Sequence, residues 1–218
     1  MFKEISALIQ KEILLEWRQK FAFGGMLLYV IATVFICYLS FRQIVDTNVW
    51  NALFWIIILF ASVNASAKSF LQESKGRLLY TYTLASPQAV ILSKIIYNVA
   101  LMVFLSLVCF GCYTLFLKNI VSNTEIFLCV LLLGSIGISS LLTMVSAIAG
   151  KANNNFTMMA ILSFPIIMPL LITIIKLSQN AIDGLDASVS LKYFLILFSL
   201  DAITITLAYM LFPYLWKD

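Results

Sequence analysis

Long apolar runs alternate with short polar breaks along almost the whole chain. Six runs, at 21–41, 49–67, 95–117, 126–149, 156–175 and 191–212, are each long enough to cross a bilayer. A helix needs about 20 mostly apolar residues to span a hydrocarbon core of about 30 Å. In that core every backbone N–H and C=O must be satisfied without water, which leaves helices or closed barrels. Barrel strands would show about ten residues of alternating polarity. These runs are continuous and too long for that. The pattern predicts an all-α integral membrane protein with six transmembrane helices, a single membrane domain over 1–218.

The first twenty residues have a different pattern. Phe2, Ile5, Ile9, Ile13 and Trp17 recur at spacings of three and four, so they share one helical face. Lys3, Gln10, Lys11 and Arg18 fall on the other. This predicts an amphipathic helix over 1–20, its stripe in the acyl boundary of membrane lipids and its cations at the headgroups. Trp17 suits the interfacial belt. A plain run-in to the first span is the alternative. The first apolar run has no small-residue cleavage site at its end, so the N-terminus is expected to be retained.

Most breaks between runs are short. Those at 43–48 and 118–125 barely turn the chain, and 150–155 is a tight polar turn. The break at 178–190 is longer, with Asp183-Gly184 as a turn signal. The segment 68–94 is the exception. It mixes charge with Phe70, Leu71, Leu78, Leu79, Tyr80, Tyr82 and Leu84. A mere connector would be shorter and more polar. Gly76 permits a break, and Ser86-Pro87 favours a helix start with proline in its first turn. A short helix, a turn and a helix entering the third span are expected, with a surface suited to docking a partner. A helix lying on the membrane is the plainer alternative.

Three features inside the spans stand out. Pro165 and Pro169 remove two backbone donors and predict a kink in the fifth span, either static or part of a moving element. Gly134 and Gly137, with Ser135, Ser139, Ser140 and Ser146 nearby, predict close helix packing in the fourth. Asp201 falls near the middle of the last span, where an ionisable group normally faces the bundle interior. It could bind a cation, relay a proton or pair with another subunit. It could equally be a neutral acid bonded to Ser or Thr neighbours.

Composition sharpens the class. The chain is 62% hydrophobic and 11% charged, against roughly 45–50% and about 25% in soluble domains. Its mean hydropathy is +1.02, which leaves no room for a sizeable soluble domain. Lys3, Lys11, Arg18, Lys20, Lys68, Lys75, Arg77, Lys94, Lys151 and Lys217 fall on one side of the spans. Arg42, Lys118, Lys176 and Lys192 fall on the other. The positive-inside rule puts the richer side, with both termini, in the cytoplasm. The net charge of +4 belongs to this bias and does not imply nucleic acid.

Several chemistries are missing. The chain has no histidine, the commonest metal and haem ligand and general base. Cys109 and Cys112 form a C-x-x-C, but no histidine follows, so it is not a haem attachment site. With Cys37 and Cys129 the thiols lie inside predicted spans, where cysteine acts as a small apolar residue. No G-x-x-x-x-G-K-[ST], G-x-S-x-G or H-E-x-x-H occurs. A transport or scaffold role is therefore expected, and not an enzyme.

The amphipathic N-terminal helix, six spans and long inner segment after the second span resemble an ABC-2-type, or type V exporter-like, permease. Phe70, Glu73, Gly76, Leu78, Ser86-Pro87, Lys94 and Pro165-Ile-Ile-Met-Pro169 resemble the haem exporter protein B (CcmB) family of cytochrome c maturation. The chain departs from that pattern around Glu73, where Lys75 follows and the family often carries more acid. The resemblance implies a permease subunit in the bacterial inner membrane. Two copies would pair with two copies of a CcmA-like ATPase, joined by CcmC-like and CcmD-like subunits and serving a CcmE-like haem chaperone. ATP would be used by the partner, haem would be the cargo, and no cofactor would be held directly. Phe70, Glu73, Gly76 and Arg77 would couple the permease to the ATPase. In that scheme Gly76 makes the turn, Phe70 anchors in the ATPase groove, and Glu73 and Arg77 make polar contacts. Two other readings stay open: an ABC-2 permease for a lipid, drug or polysaccharide, and a membrane enzyme or proton-coupled carrier centred on Asp201.

Overall fold

A computed structural model describes residues 1–18, 20–41, 46–70, 85–151 and 156–217. Among them the chain forms seven helices and no strand: α1 (Phe2–Arg18), α2 (Lys20–Ser40), α3 (Thr47–Phe70), α4 (Pro87–Phe116), α5 (Thr124–Lys151), α6 (Phe156–Ile182) and α7 (Ala187–Lys217). The last six are each long and apolar enough to cross a membrane. All six predicted spans are present.

Two span boundaries differ from the hydropathy pattern. The third span does not begin at Ile95 but at Pro87, with Ser86 extended at φ −72° and ψ 142° as its N-cap residue. The Ser86-Pro87 signal therefore starts a membrane helix directly. The fifth span does not end near Ile175 but runs to Ile182. Its polar end looked like a loop, yet Ser178 and Gln179 find partners on α3. Asn51 Nδ2 donates to Gln179 Oε1 at 3.3 Å, and Trp55 Nε1 donates to Ser178 Oγ at 2.9 Å. Only 183–186 remain between α6 and α7, turned at Gly184 with φ +72°. Glycine takes that left-handed conformation without a Cβ penalty.

α5 is the most buried span and lies at the centre. Its small and hydroxylic residues face the neighbours. Ser146 Oγ donates to the Ser66 carbonyl on α3 at 2.8 Å, and Ser135 Oγ donates to Ser106 Oγ on α4 at 3.0 Å. Asn98 Nδ2 of α4 donates to Thr143 Oγ1 of α5 at 2.9 Å. A Cβ on Gly134 would fall 2.8 Å from the Trp55 ring, and one on Gly137 would run into Asp201 and Leu170. Both glycines thus permit the close approach expected of them.

The other spans turn much apolar surface outward. Leu28, Phe60, Phe164, Phe198 and Met210 are all more than half exposed, as lipid-facing side chains are. Pro165 and Pro169 lie on the exposed side of α6, which continues unbroken through both. Cys37 and Cys109 are buried, but Cys129 is exposed, so it is an outward apolar residue and not a core one.

Candidate functional site

The two termini of the described helices and both ends of the segment between α3 and α4 gather at one end of the bundle. Of the residues predicted there for coupling, Glu73, Gly76 and Arg77 lie outside the described residues. Phe70 is described, and its position corrects one expectation. It was expected to present an apolar anchor to a partner, yet it is only 7% exposed. Its ring packs 5.7 Å from that of Phe212 on α7, and its Cβ lies against Gly150 on α5. An aromatic ring at the last turn of α3 finds apolar cover on the bundle, so it turns inward. Phe70 anchors the segment to the spans.

Lys94 completes this junction. It lies two turns into α4, is 3% exposed, and points its ammonium at three groups. Nζ lies 4.7 Å from the centre of the Phe70 ring. It donates to the Ser69 carbonyl. It also pairs with Glu12 Oε1 of α1 at 3.4 Å. An ammonium carries three donors and a strong hydration shell, so burying it requires this degree of compensation. Residue 94 sits one face away from the lipid because Ile91, Ile95 and Asn98 beside it are buried too.

α1 is held by more than this pair. Ser86 Oγ donates to Glu4 Oε2 at 2.9 Å, and Glu16 and Tyr97 line one cavity between α1 and α4. Further on, the rings of Phe23 and Phe104 lie 5.8 Å apart. These pairs stay 81 or 82 residues apart throughout, so α1 and the start of α2 run parallel to α4. The predicted stripe of α1 is consequently divided. Ile5 is buried and Ile9 half-buried, whereas Phe2 and Ile13 are exposed. Carboxylates on the neighbouring face, which the stripe pattern passed over, take up the contact with α4. The signal was the spacing of Glu4, Glu12 and Glu16 against Ser86, Lys94 and Tyr97.

Asp201 lies apart from this junction, in the middle of α7. It is 4% exposed, and neither carboxyl oxygen has a hydrogen-bond partner among the described residues. Of the two alternatives for Asp201, a bond to a Ser or Thr neighbour is not made among the described residues: Thr204 donates to the Leu200 carbonyl instead. The carboxyl packs on the bare backbone of Gly137.

The family model described as CcmB protein matches residues 3–214, nearly the whole chain. The chain belongs to the CcmB family. It is therefore an ABC permease subunit of the haem exporter of cytochrome c maturation, a multi-pass inner-membrane protein and not itself the catalytic subunit. No curated protein matches it closely enough to count as a relative. In a CcmB-family chain the junction of Phe70, Lys94 and Glu12 acquires a context. Both ends of the segment expected to meet an ATPase are fastened to α1 and to the ends of α5 and α7.

Proposed function

We propose that this permease subunit receives the stroke of a separate CcmA-like ATPase at segment 68–94 and passes it to the spans through Phe70 and Lys94. The observation that supports this reading is the fastening of the segment at both its ends. Ser69 and Phe70 stand near its start, Ser86 and Lys94 near its end, and each touches another helix. A displacement between 70 and 86 would pull on α1 through Glu4 and Glu12, and on α7 through Phe212. Packed elements joined in this way respond as two-state units.

In this reading Glu73 and Arg77 meet the ATPase, Gly76 shapes the turn between them, and Phe70 transmits the stroke from inside. Both termini and the segment face the cytoplasm, as the distribution of Lys and Arg supports. Two permease copies work with two ATPases, alongside CcmC-like and CcmD-like subunits. The cycle releases a CcmE-like chaperone loaded with haem. The chain has no histidine to hold haem by an imidazole, which fits a subunit that moves others and does not ligate the cargo itself.

The test is a split between two activities of the purified complex. Phe70→Leu and Lys94→Met should leave ATP turnover in place while release of loaded chaperone falls. Unchanged release in both variants contradicts the proposal. Loss of the ATPase subunit from the complex would instead make the junction an assembly surface.

A further inference from the structure

Asp201 is a titratable group buried in the spans, and the junction of Phe70 and Lys94 makes no use of it. It lies on the covered face of α7, in line with Leu197, Thr204, Ala208 and Phe212, all of them buried. Across from it α5 presents Gly137. A Cβ there would run into Asp201 Oδ1 and come within 2.7 Å of Leu170 Cδ1 on α6. The carboxyl thus fills a notch between three helices that only a glycine leaves open.

The hydroxyls closest along these helices are already committed. One turn on from Asp201, Thr204 Oγ1 donates to the Leu200 carbonyl at 2.8 Å. One turn on from Gly137, Ser140 Oγ donates to the Ile136 carbonyl at 2.7 Å. One turn on from Leu170, Thr173 Oγ1 donates to the Pro169 carbonyl at 2.8 Å. Charge is no nearer among the described residues of α4, α5 and α6, which pack on α7. Lys94 of α4 is turned to Glu12, Lys176 of α6 is exposed over the Tyr193 ring, and Glu125 and Lys151 stand at the two ends of α5. Tyr97 lines the α1 side of α4, and Cys109 and Tyr113 lie by Cys37 of α2. On α7 itself Tyr209 and Tyr214 are exposed, and Lys192 is about 14 Å away along the axis at 1.5 Å per residue. A carboxylate in the notch would be a bare charge at membrane depth, far costlier there than the neutral acid.

We propose that Asp201 is a proton-binding site of the permease. The closed seam of α5 and α7 holds the carboxyl as the neutral acid. The proton passes to water when α7 moves off Gly137, and one returns from water when the seam closes. Phe212, which packs on Phe70, lies three turns further along the same face of α7. A shift of segment 68–94 would therefore reach the carboxyl through one helix, and that link alone rests on the function proposed above.

The test is infrared difference spectroscopy of the full chain in nanodiscs at neutral pH, with the spectrum of Asp201→Asn subtracted. It needs no ATPase, so its outcome is independent of the stroke. The carbonyl stretch of one protonated carboxyl is expected in the unaltered chain. Its shift on transfer to deuterated water should be slow, because the closed seam shields the proton. Gly137→Ala drives the carboxyl out of the notch and should speed that shift severalfold. If Gly137→Ala does not fold, Leu170→Ala opens the notch from α6 and should act in the same way. An ionised carboxyl in the unaltered chain overturns the proposal. So does a shift that is complete at once in the unaltered chain, or one that neither variant speeds. Loss of the stretch on assembly with the partner subunits, before any ATP is added, would mean that a partner cation pairs with the carboxylate, and that also overturns it.

Discussion

Lys94 Nζ lies 3.4 Å from Glu12 Oε1, which joins the third membrane span to the N-terminal helix across 82 residues of sequence. Lys94 is 3% exposed, so solvent screens the pair only weakly. Breaking a buried pair costs up to about 3–5 kcal/mol, and here Lys11, whose Nζ also lies 3.4 Å from Glu12 Oε1, and the Ser69 carbonyl at Lys94 lessen the loss. Lys94→Met and Glu12→Gln should each lower the melting temperature in detergent. The double variant should cost less than the two single losses combined, because each single loss already includes the broken pair. A double-mutant cycle measures this, with a coupling of about 0.5–3 kcal/mol expected for residues in contact. Additive losses would mean that the pair is not formed.

The six spans were legible in the sequence because a bilayer demands unbroken apolar runs, whereas the short helix and turn expected within 68–94 lie outside the described residues. Asp183-Gly184 and Ser86-Pro87 were legible for local reasons, since each sets a backbone geometry. The far end of α6 was not. Ser178 reads as a loop residue until Trp55 and Asn51, more than 120 positions away, are seen to bond to it. Lys94 was visible as part of a family pattern, but its burial depends on Glu12, Ser69 and Phe70 converging from two other helices. Phe70 was singled out for its place beside the segment, and its direction was missed. An aromatic at the edge of a span can face a partner or its own bundle, and only the positions of Gly150 and Phe212 decide which.

Gly134 faces a ring that has little room to retreat. A Cβ there would meet Trp55 Cη2 at 2.8 Å and Ile174 Cδ1 at 3.2 Å. Trp55 is fully buried, and its Nε1 is tied to Ser178. Overpacking of this kind typically costs about 1–3 kcal/mol. Gly134→Ala should lower thermal stability in detergent. Adding Trp55→Phe, which removes the colliding edge of the ring, should recover part of the loss. Gly111, with nothing within 4 Å of an added Cβ, is the control, and Gly111→Ala should be tolerated.

Pro165 and Pro169 leave the carbonyls of Ile161 and Pro165 without their usual intrahelical donors, because proline carries no N–H. Thr173 Oγ1 donates to the Pro169 carbonyl at 2.8 Å, which softens the next turn as well. Replacing both prolines with alanine restores two donors in the middle of α6. The variant should unfold at a higher temperature. If bending of α6 belongs to the transport cycle, maturation of c-type cytochromes should fall in the same variant. Wild-type maturation together with higher stability would make the prolines passive features of packing.

Asp201 presents the sharpest conflict between stability and use. A buried polar group without a hydrogen bond costs about 1–3 kcal/mol, and more when charged. Asp201→Leu should therefore be neutral or stabilising in detergent, since an apolar side chain suits the place against Gly137 and Leu170. Unsatisfied buried groups persist where function requires them. Cytochrome maturation should accordingly drop in Asp201→Leu although the protein is present and folded. Asp201→Asn separates two causes. An amide keeps the hydrogen-bonding capacity and the size, but it cannot carry a proton or a charge. Activity retained in Asp201→Asn and lost in Asp201→Leu would assign Asp201 a hydrogen bond made in another state of the cycle. Loss in both would assign it a charge or a proton. Full activity in Asp201→Leu would remove it from the mechanism.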